Sequence, residues 1–187
     1  MVQLTEKDKM IAGELYRAND DLLRNERKRA RRLLKLFNDS LPDETAKRAA
    51  TLQELLGALG LQAEIEPPFF CDYGYNISIG DKFYANFNCI ILDCAKVIIG
   101  DNVFLGPNVQ IYTATHPLTA EERNKGLEAA KPIIIEDSAW ICGGVIINPD
   151  VTIGKGTTIG AGSVVTRDIP PDVFAAGNPC KVIRNLA

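Results

Sequence analysis

Residues 135–170 read Ile135-Glu-Asp-Ser-Ala-Trp, Ile141-Cys-Gly-Gly-Val-Ile, Ile147-Asn-Pro-Asp-Val-Thr, Ile153-Gly-Lys-Gly-Thr-Thr, Ile159-Gly-Ala-Gly-Ser-Val and Val165-Thr-Arg-Asp-Ile-Pro. Each block of six opens on Ile or Val. Its fifth residue is small or β-branched: Ala139, Val145, Val151, Thr157, Ser163 and Ile169. A helix would repeat its apolar residues every three or four positions, and a half-buried strand every two. A strict period of six instead predicts a solenoid of short strands and turns, three blocks to an 18-residue triangular coil, with the aliphatics stacked in rows inside. No coil buries its interior alone, so neighbouring coils must stack. A glycine or asparagine after the aliphatic is expected to supply left-handed backbone at the corners.

Working outward, the pattern recurs as Ile99-Gly-Asp-Asn-Val-Phe, Leu105-Gly-Pro-Asn-Val-Gln and Ile111-Tyr-Thr-Ala-Thr-His. Before these stand Ile79-Gly-Asp-Lys-Phe-Tyr and Ala85-Asn-Phe-Asn-Cys-Ile, with a two-residue slip near Cys94–Lys96. Between Ile111 and Ile135 the phase is kept while the repeat is abandoned. Residues 117–131 are polar and must project as a loop, and long ordered loops in compact domains tend to carry function. The one histidine of the chain, His116, stands at the base of this loop.

At 187 residues the chain holds one domain with a small appendage. Residues 1–66 contain 3 of the 15 glycines, and the character changes near Pro67-Pro68. The first part reads as helices, starting at Thr5-Glu-Lys-Asp with a hydroxyl cap and early acids. Apolar stripes follow at Ile11, Leu15, Ala18 and Leu22, and at Leu23, Ala30, Leu34 and Phe37. A last helix is expected from about Asp43 to Ala58, stopped by Gly60. The basic run from Arg24 to Arg32 reads as a solvated helix face. With a net charge of −3, no nucleic-acid footprint is expected. No 18-residue apolar stretch exists to cross a membrane, and with acids and no apolar core in the first residues no secretory signal is expected. Five cysteines without a C-x-x-C pair point to reduced thiols in a cytoplasmic protein. Cys89, Cys94 and Cys142 are expected to fill the coil as small hydrophobes. One histidine excludes sites built on several, so no metal centre is expected.

With repeat, loop and histidine in hand, the chain resembles the hexapeptide-repeat acyltransferases, and more narrowly the maltose and galactoside O-acetyltransferases. The matching pieces are Pro67-Pro-Phe-Phe-Cys-Asp-Tyr-Gly-Tyr-Asn, Tyr84-Ala-Asn-Phe-Asn, Ile111-Tyr-Thr-Ala-Thr-His-Pro and Trp140-Ile-Cys-Gly-Gly. Further along come Val164-Val-Thr-Arg-Asp-Ile-Pro-Pro and Ala176-Gly-Asn-Pro-Cys-Lys-Val-Ile-Arg. The resemblance covers essentially the whole chain. It implies a mainly β, left-handed parallel β-helix over residues 67–187 with a helical segment over residues 1–66. It also implies acetyl transfer from acetyl-CoA to a sugar hydroxyl of maltose or glucose type, at sites between the subunits of a homotrimer.

Residue by residue, the resemblance makes His116 the general base, since an imidazole can take the proton of an attacking hydroxyl near neutral pH. Asn86 matches a position that holds the acceptor and stabilises the transition state, although Asn also suits a coil corner. Asp72 and Asp93 match sugar-contacting carboxylates, and either residue type also caps a turn. Tyr84, Leu127 and Glu128 would line the same pocket, and Tyr16 and Arg17 would close it from outside. On the CoA side, Trp140 would wall the pantetheine or pack in the core. Ala161 and Thr166 would contact the pantetheine through their backbones, and Arg167, Lys181 and Arg184 would meet phosphates. Galactoside relatives place a serine where this chain has Gly143, so the oxyanion donor here would be a backbone N–H.

Competing readings differ in what they require. A γ-type carbonic anhydrase on this fold needs three histidines. A non-catalytic scaffold or ice-binding solenoid would show regular Thr ladders and no loop. Within the acetyltransferases, the acceptor could instead be a galactoside, an antibiotic, serine or a lipopolysaccharide sugar.

Overall fold

The computed structural model describes residues 4–186. Three helices come first: α1 (Glu6–Ala12), α2 (Asp21–Asn38) and α3 (Thr45–Leu55). Five coils of three strands follow. They are β1 (Ala58–Leu59), β2 (Glu64–Ile65) and β3 (Phe69–Cys71); β4 (Ile77–Ile79), β5 (Tyr84–Ala85) and β6 (Cys89–Leu92); and β7 (Val97–Ile99), β8 (Phe104–Leu105) and β9 (Gln110–Tyr112). The excursion β10 (Ala114–Thr115), α4 (Ala120–Arg123) and β11 (Ala129–Ala130) then leaves the prism. The fourth coil is β12 (Ile133–Ile135), β13 (Trp140–Ile141) and β14 (Ile146–Ile147). The fifth is β15 (Thr152–Ile153), β16 (Thr158–Ile159) and β17 (Val164–Val165), before the closing pair β18 (Val173–Ala176) and β19 (Lys181–Asn185).

The strands stack into three parallel faces: β1-β4-β7-β12-β15, then β2-β5-β8-β13-β16-β18 with β19 added antiparallel, then β3-β6-β9-β14-β17. This is the three-faced solenoid that the six-residue period predicts, and the left-handed β-helix that the resemblance implies. The register makes the rows explicit, with Ile79 beside Ile99, Ile99 beside Ile135 and Ile135 beside Ile153. These residues and their counterparts Leu105, Ile141, Ile159, Ile91, Ile111 and Ile147 are buried in one continuous core.

The corners follow a different rule from the one read in the sequence. Left-handed backbone falls three residues after the aliphatic, as at Asn102 (φ 55°), not one after it. Glycine follows the aliphatic because successive coils touch there: a Cβ on Gly100 would lie 2.7 Å from Asp137 N. Asn tolerates the left-handed region through local hydrogen bonding, whereas at Gly100 it is the missing Cβ that clears the backbone of the next coil.

Every departure from the period of six falls at one corner, between the third face and the first. Cys71 and Ile79, like Ile91 and Ile99, occupy successive inward positions but stand eight apart, and Ile111 and Ile135 stand 24 apart. The excursion leaves as an antiparallel ribbon, Ala114 beside Ala130 and Thr115 beside Ala129.

The helices seal the open first coil. Ala30, Leu33, Leu34 and Phe37 of α2, with Leu52 and Leu55 of α3, join the solenoid core, and Asn38 exchanges two side-chain hydrogen bonds with the Phe69 backbone. Two helical expectations need correction. α1 carries the expected capping box but stops at Ala12 with Gly13 left-handed, so Ile11, Leu15 and Leu22 are about half exposed while Met10, Tyr16 and Leu23 are buried. α3 ends at Leu55, because Gly57 N–H donates to the Gly74 and Ile77 carbonyls and β1 pairs with β4. The first coil therefore starts ahead of Pro67, inside the span read as helical.

Candidate active site

His116 follows β10 at the irregular corner, and its side chain is about half exposed. Its Nδ1 lies 3.4 Å from the Leu127 carbonyl oxygen. A carbonyl only accepts, so this pairing puts the proton on Nδ1 and leaves the lone pair on Nε2. Nε2 lies 4.0 Å from Glu128 Oε1. Leu127 and Glu128 come from the far end of the excursion, and the β10–β11 ribbon is what folds them back onto the histidine.

The wall behind is built by the lengthened corners. Asp72, partly buried, lies in one, and Asp93 and Cys94 lie in the next. The Cys94 thiol donates to Asp72 Oδ2 at 3.7 Å. Burial raises the Asp72 carboxyl above its ordinary range, while Cys94, Arg27 and Arg31 pull it back down. Asp93 has no exposed surface. Its Oδ1 accepts from the N–H groups of Asp72 and Tyr73, and its Oδ2 from that of Asn76. Burial pushes its carboxyl up to about 7 against those donors. The expected sugar contact by Asp93 is therefore not what this geometry supplies. An eight-residue corner leaves backbone N–H groups that the regular ladder does not serve, and Asp93 binds them and holds Asp72 in place.

The N-terminal segment closes this corner. Tyr16 is fully buried, and its hydroxyl donates to Glu128 Oε2 at 3.0 Å. Arg17 is exposed, and its backbone N–H donates to Glu6 Oε2. Two further residues belong here that the sequence reading missed. Arg27 donates to the Tyr73 hydroxyl and to the Ala18 carbonyl, both at 2.6 Å; within a run of basic residues nothing distinguished it. Cys94 lies in the site wall and not inside the coil, and the two-residue slip around it was the available signal.

A second cleft, of about 530 Å³, lies at the corner between the second and third faces. Tyr84, Asn86, Phe104, Trp140, Cys142 and Gly143 line it. Trp140 is about half exposed and pairs with Phe104, which pairs in turn with Tyr84, making an outward aromatic ladder and not core packing. Cys142 is half-buried in this cleft, so of the three cysteines expected in the coil only Cys89 lies there. Asn86 Oδ1 accepts from Phe87 N–H. Ala161 stands at the same corner, where Gly162 N–H donates to the Gly143 carbonyl.

The remaining candidates are divided. Thr166 and Arg167 line a cleft of about 570 Å³ on the histidine corner together with Thr115. Lys181 and Arg184 lie on β19 at the far end of the second face, with Arg184 over the Phe174 ring. Within one chain His116 thus meets Leu127 and Glu128, and Glu128 meets Tyr16, while Asp72 stands in the corner wall with Cys94, and Thr166 and Arg167 line the cleft with Thr115. Asn86, Tyr84, Trp140, Gly143 and Ala161 stand at a different corner of the prism.

Comparison with known proteins gives the chemistry a name. Residues 9–60 match the maltose acetyltransferase hexapeptide capping motif, and residues 132–167 match the bacterial transferase hexapeptide of six repeats. The galactoside O-acetyltransferase of Escherichia coli is 45% identical over 96% of this chain and 88% of its own. The chain belongs to the hexapeptide-repeat acetyltransferases. Among solved members of that family, a maltose O-acetyltransferase from Clostridium difficile has a TM-score of 0.98 at 54% identity, covering 98% of both chains. A hexapeptide-repeat acetyltransferase from Vibrio cholerae, solved with acetyl coenzyme A, has a TM-score of 0.92 at 41% identity, covering 98% of this chain and 100% of its own. Acetyl-CoA is accordingly the co-substrate of the family fold.

Proposed function

We propose that this protein moves the acetyl group of acetyl-CoA directly to a sugar hydroxyl, with glucose or maltose as the acceptor type and His116 as the general base. The observation that carries the reading is the His116 ring itself. Its Nδ1 is committed to the Leu127 carbonyl, and its Nε2 faces the Glu128 carboxylate at 4.0 Å. Carboxylates accept hydrogen bonds from neutral hydroxyls and so orient a sugar without needing charge on it. Nε2 takes the proton as the hydroxyl oxygen attacks the thioester carbonyl, and the resulting imidazolium returns it to the departing CoA sulfur.

The reading also requires a second copy of the chain. Asn86 and His116 stand at different corners, and Phe104 and Trp140 of the aromatic ladder are about half exposed. In a homotrimer the histidine corner of one copy meets the aromatic corner of the next. Asn86 and the Gly143 N–H then stabilise the negative charge that develops on the acetyl oxygen, and Trp140 and Ala161 flank the pantetheine. Thr166 adds a backbone contact, and Arg167, Lys181 and Arg184 receive the phosphates. Five free cysteines suit a reducing cytoplasm.

Thiol release from acetyl-CoA, followed with glucose, maltose, a thiogalactoside, serine and chloramphenicol, tests the proposal. Turnover is expected with glucose or maltose, and His116→Ala should lower it by about 10²–10⁴-fold. Turnover that survives the substitution rules out the base, and turnover only with serine or chloramphenicol rules out the sugar.

A further inference from the structure

Tyr16 and Glu128 are joined more completely than a pocket lining requires. Tyr16 N–H donates to the Glu128 carbonyl at 2.9 Å, and Glu128 N–H donates to the Tyr16 carbonyl at 3.0 Å. The Tyr16 hydroxyl then donates to Glu128 Oε2. One short stretch from the N-terminal segment thus fixes both the backbone and the carboxylate of Glu128. Burial lifts the phenol above its ordinary range, with Cys94 and Glu128 adding to it, so Tyr16 remains a donor and Oε2 remains occupied. Among the described residues no hydrogen bond reaches Oε1, which stands 4.0 Å from His116 Nε2.

A carboxylate oxygen with its neighbour held and its own side open is free to accept from an O–H donor on the acceptor. The hydroxyl that gives its proton to Nε2 has none left for Oε1, so the donor must be a second hydroxyl. Two acceptor atoms this far apart match two hydroxyls whose oxygens lie about one hydrogen-bond length from each other. We infer that Tyr16 is a positioning residue that holds Glu128 Oε1 ready for a second acceptor hydroxyl beside the one attacked. This rests on the sugar reading above and adds to it the feature that discriminates among acceptors.

The test measures kcat and KM for glucose and each singly deoxygenated glucose with the wild type, Glu128→Gln and Tyr16→Phe. One deoxyglucose lacks the reacting hydroxyl and gives no product. With the wild type, a second should fall about 10- to 100-fold in kcat/KM, the usual effect of losing a hydrogen bond to a charged group. Glu128→Gln should cost a similar factor on glucose and nothing further on that second deoxyglucose. Tyr16→Phe keeps the ring and the backbone bridge, and should show the same selective loss. A merely structural tyrosine would lower all sugars alike. Equal losses on glucose and on every reactive deoxyglucose overturn the inference while leaving the sugar reading intact. If the wild type turns over no sugar, the sugar reading falls and this inference falls with it.

Discussion

Two inactive variants should restore each other. His116→Ala removes the base from the histidine corner, and Asn86→Ala removes a donor from the aromatic corner; alone, each should lose at least about 10²-fold in turnover. The two positions lie at different corners of one prism, so a working site in the proposed assembly draws His116 from one copy and Asn86 from its neighbour. In randomly mixed assemblies from equal expression, half of the histidine donors and half of the asparagine donors are intact. About one site in four then has both, whatever the size of the closed ring. Co-expression with two different affinity tags and sequential purification isolates the mixed particles, and thiol release from acetyl-CoA with glucose reads their activity. Roughly a quarter of wild-type turnover per site, scaled for the selection of mixed particles, is expected. Mixed particles with no more activity than the two parents would refute the shared site, because each chain would then have to supply both groups itself.

Three further outcomes follow from the packing. Gly100→Ala sets a Cβ against Asp137 of the next coil, and urea unfolding should show a loss of about 1–3 kcal/mol. Ile141→Ala empties part of the second inward row between Leu105 and Ile159, and the same assay should show about 2–5 kcal/mol. Asp93 titrates at about 7 when folded against 3.8 for a free carboxyl, so between those values the folded state holds a proton that the unfolded chain has lost. Its contribution is complete below pH 4 and declines as pH rises to about 7, by up to about 1.4 kcal/mol per pH unit. Unfolding measured from pH 5 to 7 should show the wild type losing stability relative to Asp93→Asn, and parallel curves would contradict this.

The site was legible in the sequence only in parts, and the parts have different physical origins. His116 stood out because it is the one imidazole and sits where the period breaks. The motif around Asp93 matches a sugar-binding carboxylate but says nothing of its exposure; its role as a brace depends on which N–H groups an eight-residue corner leaves unserved. Arg27 was hidden in a basic run, and its guanidinium finds the Tyr73 hydroxyl 46 residues away.

The sequence by itself determined the solenoid, because a β-helix is held by interactions that repeat. Each inward aliphatic meets its counterpart one coil on, so a period of six in one dimension is enough to specify three faces, their rows and the place where a loop must leave. Only the tertiary structure decided what surrounds the histidine. Tyr16 and Glu128 are 112 residues apart, and no periodicity links them. They meet because the helical segment that seals the first coil runs back along the one corner where the repeat is broken, and the ribbon of the excursion returns to the same place.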